Sequence, residues 1–195
     1  EPFPYWTLKE IHEQVDAVTR ATNLGSRILS NNTVRLGGLD TNKTQLLEIE
    51  HIIILGCGTS YHSGLICMRM LKKLNLFSTV QLFDGADFTS DDIPLTGKTG
   101  AILISQSGET KDLHRCIHIA QAHSIFTIGV VNVVDSLIAR EVDCGCYLHA
   151  GREVGVASTK AYTSQVIVLT MIVVWFAQQK NKSLIACSSS PLILG

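Results

Sequence analysis

An apolar stretch that ends in glycine constrains the fold of this chain most strongly. Residues 51–56 read HIIILG, and a glycine-rich segment, CGTSYHSG, follows at residues 57–64. A strand that is apolar along its whole length has no face for solvent, and such strands occur in parallel sheets covered by helices on both faces. The stretch therefore predicts a buried parallel strand.

The chain then alternates between apolar stretches and helical patterns. The later strands are predicted at residues 80–83, 101–105, 127–131 and 146–149, and the helices around them at residues 60–74, 110–122 and 159–178. Such alternation with short connections predicts a doubly wound α/β domain, with a mostly parallel, five-stranded, flavodoxin-like sheet and helices on both faces. Ligands bind beyond the carboxyl ends of the strands in sheets of this kind.

The two ends of the chain do not belong to this alternation. Residues 6–28 predict one amphipathic helix that packs across the domain, with apolar side chains at helical spacing: Leu8, Ile11, Val15, Val18 and Leu24. A short helix is predicted near residues 42–48. We therefore expect a helical segment at residues 1–45, a domain at residues 46–180 and a linker or tail at residues 181–195.

Composition argues against several classes of protein. The 16 Lys and Arg residues balance 17 Asp and Glu residues, so no broad basic field is available for nucleic acid or an anionic membrane. The apolar run at residues 166–177 falls short of a membrane span and predicts a buried helix. The first residues, EPFP, do not resemble a signal peptide, and six cysteines without a C-x-x-C pair fit reduced thiols. We expect a cytoplasmic protein without membrane or nucleic-acid partners.

The first predicted strand leads into a loop that suits an anion. Glycines allow a sharp turn, and Thr59 and Ser60 stand where a helix begins. Unpaired N–H groups and the positive end of the helix dipole attract phosphate at such a place. An ordinary turn in which Ser60 caps the helix fits this loop equally well.

A second loop of this kind favours the phosphate site. Residues 105–110 follow another predicted strand, open onto a helix and offer hydroxyl and amide groups to an oxyanion or a sugar: Ser105, Gln106, Ser107 and Thr110. Glu109 lies among them. We expect it to complement the helix dipole as a first-turn acid rather than to catalyse.

A third loop, at residues 151–160, precedes the long final helix. It adds small residues, hydroxyl groups and Lys160, whose ammonium would help to neutralise an anion. Taken singly, Arg152, Glu153 and Lys160 fit solvated groups or salt bridges about as well as substrate contacts.

Two other kinds of site are disfavoured. A dinucleotide fingerprint would need a third glycine where Tyr61 stands, so a nicotinamide-dependent oxidoreductase is not expected. His114 and His118 are spaced i, i+4 on one predicted helix, but a zinc site needs more ligands than these two. We expect no metal and no cofactor.

Together these motifs resemble the sugar isomerase (SIS) family, in particular the first of the two SIS subdomains of glutamine–fructose-6-phosphate aminotransferases. The resemblance runs from about residue 5 to residue 179. It rests on the order of these motifs: KEI with EQ from Lys9, CGTSYHSG from Cys57, SQSGET from Ser105, Ser136 with RE and DCG after it, and GVASTKAYTSQ from Gly155.

The resemblance implies roles for individual residues. The phosphate and nearby hydroxyls would be held by Thr59, Ser60, Ser105, Gln106, Ser107 and Thr110. The sugar would be bordered by Val156, Ser158 and Lys160. The family joins ring opening of fructose 6-phosphate, capture of glutamine-derived ammonia at C2, and a proton shift from C1 to C2 that yields glucosamine 6-phosphate, without an external cofactor.

The same resemblance implies that this chain lacks part of the machinery. The glutaminase domain and the second SIS subdomain are expected to be absent, and the family's catalytic glutamate, histidine and lysine belong to that second subdomain. We therefore expect no catalytic residue in this chain, and we expect it to bind fructose, glucose or glucosamine 6-phosphate. The glutaminase domain and the second SIS subdomain are its expected partners.

A non-catalytic phosphosugar sensor is the alternative function, since single SIS domains in regulators use the same loops. Self-association is also expected, because the very apolar final helix predicts an exposed face that another copy or subdomain covers.

Overall fold

The computed structural model describes residues 2–30 and 32–180. Its sheet consists of the strands β1 (His51–Gly56), β2 (Thr79–Asp84), β3 (Thr99–Ser105), β4 (Phe126–Val131) and β5 (Cys144–Tyr147). Neighbouring strands pair in parallel, in the order β2-β1-β3-β4-β5. The expectation for residues 181–195 lies outside the described residues.

Helices cover both faces of the sheet. They are α1 (Trp6–His12), α2 (Gln14–Ala21), α3 (Gly37–Thr41), α4 (Lys43–Leu47), α5 (Thr59–Lys73), α6 (Lys111–Ala122), α7 (Leu137–Glu141) and α8 (Lys160–Gln179). The predicted doubly wound, flavodoxin-like α/β fold is confirmed, and β5 begins two residues before the position predicted for it.

The apolar strand β1 is buried on both faces, as predicted. Ile52 and Ile54 join the core cluster that contains residues of α5 and α8. Ile53 and Leu55 point the other way, into the cluster that contains residues of α6. The alternation of side chains along a strand explains why both sets are apolar.

The final helix, α8, lies in the core. Its side chains are buried or partly buried along its whole length, so the prediction of an exposed face on this helix was wrong. The helix is long and apolar enough to cross a membrane by those two measures alone. Its burial inside the domain is the pattern of a core helix, as expected for residues 166–177.

The amino-terminal segment differs from the single helix predicted for residues 6–28. Glu13 separates α1 from α2, and α2 ends at Ala21. Most of the predicted apolar stripe faces solvent: Leu8, Ile11, Val15 and Leu24 are exposed. Ala17 and Ala21 are buried instead, and their small side chains let α2 approach α8 closely. The predicted apolar residues are spaced as in a helix, but most of them lie on the outer surface of the domain.

Polar contacts fasten this segment to the domain. Gln14 Oε1 accepts a hydrogen bond from Thr163 Oγ1 on α8 at 2.6 Å, and Arg20 donates to the carbonyl groups of His149 and Ala150 at 3.0 Å. Glu10 is buried and accepts from the N–H of Gly155 at 3.1 Å. The segment therefore holds the loop that leads into α8. A domain boundary at residue 45 remains a prediction.

Candidate functional site

A pocket of about 190 Å³ lies beyond the carboxyl ends of β1 and β3, where the loops before α5, α6 and α8 meet. We call it the polar pocket. It is lined by Cys57, Thr59, Ser60, Ile104, Ser105, Gln106, Ser107, Thr110, Glu153, Gly155, Val156 and Ser158. Every residue predicted for the site lines it except Lys160.

The loop after β3 is held in shape by its own hydroxyl groups. Ser105 Oγ is buried, accepts from the N–H of Gly108 at 2.9 Å and lies 3.0 Å from Thr110 Oγ1. Gly108 has a φ of +69°, and a Cβ on it would lie 2.0 Å from Ser136 Oγ. Only glycine fits there. The loop therefore presents Ser107 and Thr110 from a fixed backbone.

The loop after β1 is tied to the final helix. Gly58, with a φ of +58°, precedes α5. Ser60 is buried, and its Oγ accepts from Gln165 Nε2 at 2.9 Å. Ser63 Oγ donates in turn to Gln165 Oε1 at 3.1 Å. The hydroxyl of Ser60 is thus engaged with α8, and no side chain caps the first turn of α5. Ser60 does not act as the helix cap that was its alternative interpretation.

Glu153 has a defined place that sequence reasoning left open. Its Oε1 accepts from the backbone N–H groups of Thr159 and Ala161 at 2.8 and 3.2 Å, and its Oε2 accepts from Ser158 Oγ at 3.0 Å. A carboxylate therefore already occupies the positive end of α8. Helices α5 and α6 also begin at the polar pocket, and neither has a side-chain cap. An anion would bind toward α5 and α6.

Lys160 does not line the polar pocket. Its side chain is only 4% exposed, and its ammonium bonds to the carboxylate of Glu13. That hydrogen bond holds the pKa of the Glu13 carboxyl below its usual range. Lys160 belongs to a separate cavity of about 450 Å³, which Lys9, Glu10 and Arg152 also line. The charge of Lys160 therefore lies against Glu13 of the amino-terminal segment, outside the pocket expected to hold the sugar.

Glu109 lies outside the polar pocket and outside the first turn of α6. Its Oε1 accepts from the N–H of Leu137 at 2.8 Å, at the start of α7. The expected partnership with the dipole of its own helix was wrong, because the side chain turns to a neighbouring helix. The acid that lines the pocket is Glu153.

Cys57 is a pocket residue that sequence reasoning missed. Burial raises the pKa of its thiol above the usual value. The other described cysteines are buried, and burial raises the pKa to about 11 for Cys116 and to about 12 for Cys146. Thiolate chemistry is therefore disfavoured throughout the described chain.

The polar pocket is not the largest cavity. One of about 660 Å³ lies at the amino ends of β3 and β4, where it is lined by residues such as Pro94 and Lys98. We give the smaller pocket precedence because it lies at the carboxyl ends of the strands and at the starts of three helices. The described residues that line the polar pocket include no Lys or Arg. Its donors are hydroxyl, amide and backbone groups, which suit an oxyanion and a sugar.

Comparison with known proteins agrees with this architecture. The SIS domain model matches residues 45–175. A probable glutamine–fructose-6-phosphate aminotransferase (isomerizing) of Acanthamoeba polyphaga mimivirus is 46% identical over 171 residues, which are 88% of this chain and 27% of that protein. The human glutamine–fructose-6-phosphate aminotransferase 2 is 41% identical over 170 residues, or 87% of this chain and 24% of that protein.

A solved structure of such an aminotransferase also matches this fold. The C-terminal domain of glucosamine-fructose-6-phosphate aminotransferase from Francisella tularensis matches with a TM-score of 0.81 at 28% identity, over 93% of this chain and 50% of that one. The chain spans about a quarter of the length of the curated relatives named above. It belongs to the SIS domain family and is homologous to one portion of the glutamine–fructose-6-phosphate aminotransferases.

Proposed function

We propose that the polar pocket binds a hexose 6-phosphate: fructose 6-phosphate, glucose 6-phosphate or glucosamine 6-phosphate. The observation that carries the proposal is the meeting of hydroxyl-bearing loops at the starts of α5 and α6, which carry no side-chain caps. The phosphate would lie among Thr59, Ser60, Ser105, Gln106, Ser107 and Thr110. Two helix dipoles and the hydroxyl donors would stabilise its charge in place of a cation.

The sugar would extend toward the third loop. Val156 is fully exposed at the edge of the pocket, and Ser158 is partly buried beside it. A volume of about 190 Å³ is below the range usual for drug-sized ligands, about 300–1,000 Å³. The pocket would therefore enclose the phosphate and leave much of the sugar for another surface to cover. Lys160 is not part of this proposed contact.

We infer that the chain acts as the phosphosugar-binding part of an isomerase module. The complete enzyme would convert fructose 6-phosphate and glutamine-derived ammonia to glucosamine 6-phosphate in hexosamine (UDP-GlcNAc) biosynthesis. The similarity to aminotransferases supports this role over that of a phosphosugar sensor. No external cofactor enters the proposal.

We propose that the chemistry needs other parts of that enzyme. A proton transfer between adjacent carbons requires a base within hydrogen-bond reach of the substrate. Both oxygens of Glu153 accept hydrogen bonds from the protein, and Glu109 faces Leu137. A second SIS subdomain would supply the base, and a glutaminase domain would supply ammonia.

We also propose self-association and a cytoplasmic location. Leu8, Ile11 and Val15 are exposed apolar side chains at helical spacing on α1 and α2, and we propose that a second copy covers them. The free cysteines of the described residues fit a reducing compartment.

Calorimetric titration tests the binding proposal directly. Glucose 6-phosphate is expected to bind, and glucose at the same concentration is expected to bind at least about a hundred-fold more weakly, because the loops grip the phosphate through charge-assisted hydrogen bonds. Equal affinity for the two sugars would contradict the phosphate site.

A further inference from the structure

A group of metal-ligating side chains lies on the outer surface of the fold, between α6 and α7. His114 and His118 stand one turn apart on α6, and Glu141 is the last residue of α7. One ligand atom from each residue lies within 4.8 Å of the other two. The sequence offers the two histidines, but only the fold brings the carboxylate to them.

The other two side chains of the group are both in direct contact with His114. His114 Nε2 lies 3.0 Å from Glu141 Oε2 and 3.2 Å from Oε1. The two imidazole rings meet edge to face, with centroids 4.3 Å apart and an interplanar angle of 73°. The hydrogen bond to Glu141 uses one ring, and His118 brings a second imidazole nitrogen within 4.8 Å of the other two ligand atoms.

The carboxylate has unused capacity. Glu141 Oε2 is buried and accepts no hydrogen bond from the described residues, although His114 lies beside it. One ring nitrogen beside two carboxylate oxygens leaves lone pairs of Glu141 unused, and a cation would take them. His118 is exposed, so an ion has a path from solvent.

We propose that His114, His118 and Glu141 bind a divalent first-row transition metal, with Zn²⁺ as the leading candidate. Imidazole nitrogen suits zinc, copper and nickel, whereas magnesium and calcium prefer oxygen ligands. Two imidazoles and one carboxylate leave a coordination position open for water or another ligand. The bound ion would join α7 to α6, the helix that begins beside Thr110 of the polar pocket.

The test measures Zn²⁺ binding to the chain purified without a histidine tag and stripped with EDTA, by competition with a chromogenic chelator. His118→Ala and Glu141→Gln are each expected to weaken Zn²⁺ binding by at least about ten-fold, since even the residues that only orient metal ligands carry about 10–100-fold of affinity. His123→Ala is the matched control, because this exposed histidine follows the same helix outside the group. It is expected to bind Zn²⁺ as the wild type does.

The same samples with Co²⁺ supply a second readout. The wild type is expected to show visible absorption bands of a four- or five-coordinate ion, and His118→Ala is expected to lose them. Mg²⁺ is expected not to compete. Equal Zn²⁺ affinity in the wild type and His118→Ala would overturn the site, and so would an equal loss in His123→Ala. Comparison between variants removes any contribution from the thiols.

Discussion

The buried ammonium of Lys160 pairs with the carboxylate of Glu13, which joins the start of α8 to the amino-terminal segment. The Lys160 side chain is 4% exposed and that of Glu13 is 31% exposed. Breaking a fully buried pair costs about 3–5 kcal/mol, and the partial exposure of Glu13 reduces this figure. We expect Glu13→Gln to lower the free energy of unfolding by about 1–2 kcal/mol in urea denaturation.

An exposed ion pair provides the control for this variant. Lys98 and Glu48 also pair, but their side chains are 66% and 51% exposed. Glu48→Gln is expected to change the free energy of unfolding by less than about 0.5 kcal/mol. Equal effects of the two variants would show that burial of Lys160 does not matter to stability.

The same pair predicts a pH dependence. The pKa of Glu13 is lowered from its ordinary value of 4.5, mainly by the hydrogen bond from Lys160. A carboxyl group whose pKa is lower in the folded state stabilises the protein above its unfolded pKa and loses that effect as the pH falls through the folded pKa. The stability difference between wild type and Glu13→Gln should therefore be constant above about pH 5 and shrink below pH 4.5. A difference that grew on acidification would have the wrong sign.

The phosphate assignment predicts which hydroxyl groups matter for affinity. Ser107→Ala combined with Thr110→Ala is expected to weaken glucose 6-phosphate binding at least ten-fold, since each hydrogen bond to a charged group is worth about 1.5–3 kcal/mol. Ser90→Ala, in the cavity at the amino ends of β3 and β4, is the control in the same titration. Unchanged affinity in the double variant would remove the phosphate from this loop.

Alkylation of Cys57 reports on the occupancy of the pocket. Cys57 is the least buried of the described cysteines and lines the pocket. Since burial raises the pKa of its thiol, the rate of reaction with iodoacetamide should still be rising past pH 9. Glucose 6-phosphate should slow this reaction, and Cys57→Ser should abolish the protected fraction. A rate that levels off below pH 8.5, or that ignores the sugar phosphate, would be inconsistent with this position.

The exposed stripe on α1 and α2 predicts self-association. Ile11→Glu places a charge between Leu8 and Val15 on that surface and is expected to shift the sedimentation velocity distribution toward the monomer. Leu95→Glu alters a fully exposed apolar residue elsewhere and should leave the distribution unchanged. A wild-type chain that sediments as a monomer at high micromolar concentration would contradict the proposal.

The sequence predicted those parts of the fold that depend on local pattern. The strand β1 could be recognised because its residues are apolar on both faces, and the loop at Ser105 could be recognised because small hydroxyl residues and Gly108 follow a strand. These signals lie within a few neighbouring residues. They were enough to predict that Thr59, Ser107 and Ser158 line one pocket, as they do in the structure.

Contacts between distant residues could not be predicted in this way. Gln165 bonds to Ser60 across 105 positions, and Lys160 reaches Glu13 across 147 positions. Nothing near Lys160 in the sequence distinguishes an ammonium that binds an anion from one buried against a carboxylate. The prediction that the apolar stripe with Ile11 packs against the domain was wrong for a related reason. Helical spacing identifies an apolar face but does not show what covers it.

We propose that this chain binds a sugar phosphate but does not itself catalyse the isomerisation. The most direct test incubates the purified chain with ammonium and fructose 6-phosphate deuterated at C1. It follows both the formation of glucosamine 6-phosphate and the loss of deuterium from C1. We expect binding of fructose 6-phosphate with no product and no exchange above the protein-free rate, because general acid–base catalysis, worth about 10²–10⁴ in rate, needs a positioned base. Turnover that Glu153→Gln or Glu109→Gln abolished would contradict it and make this domain an isomerase in its own right.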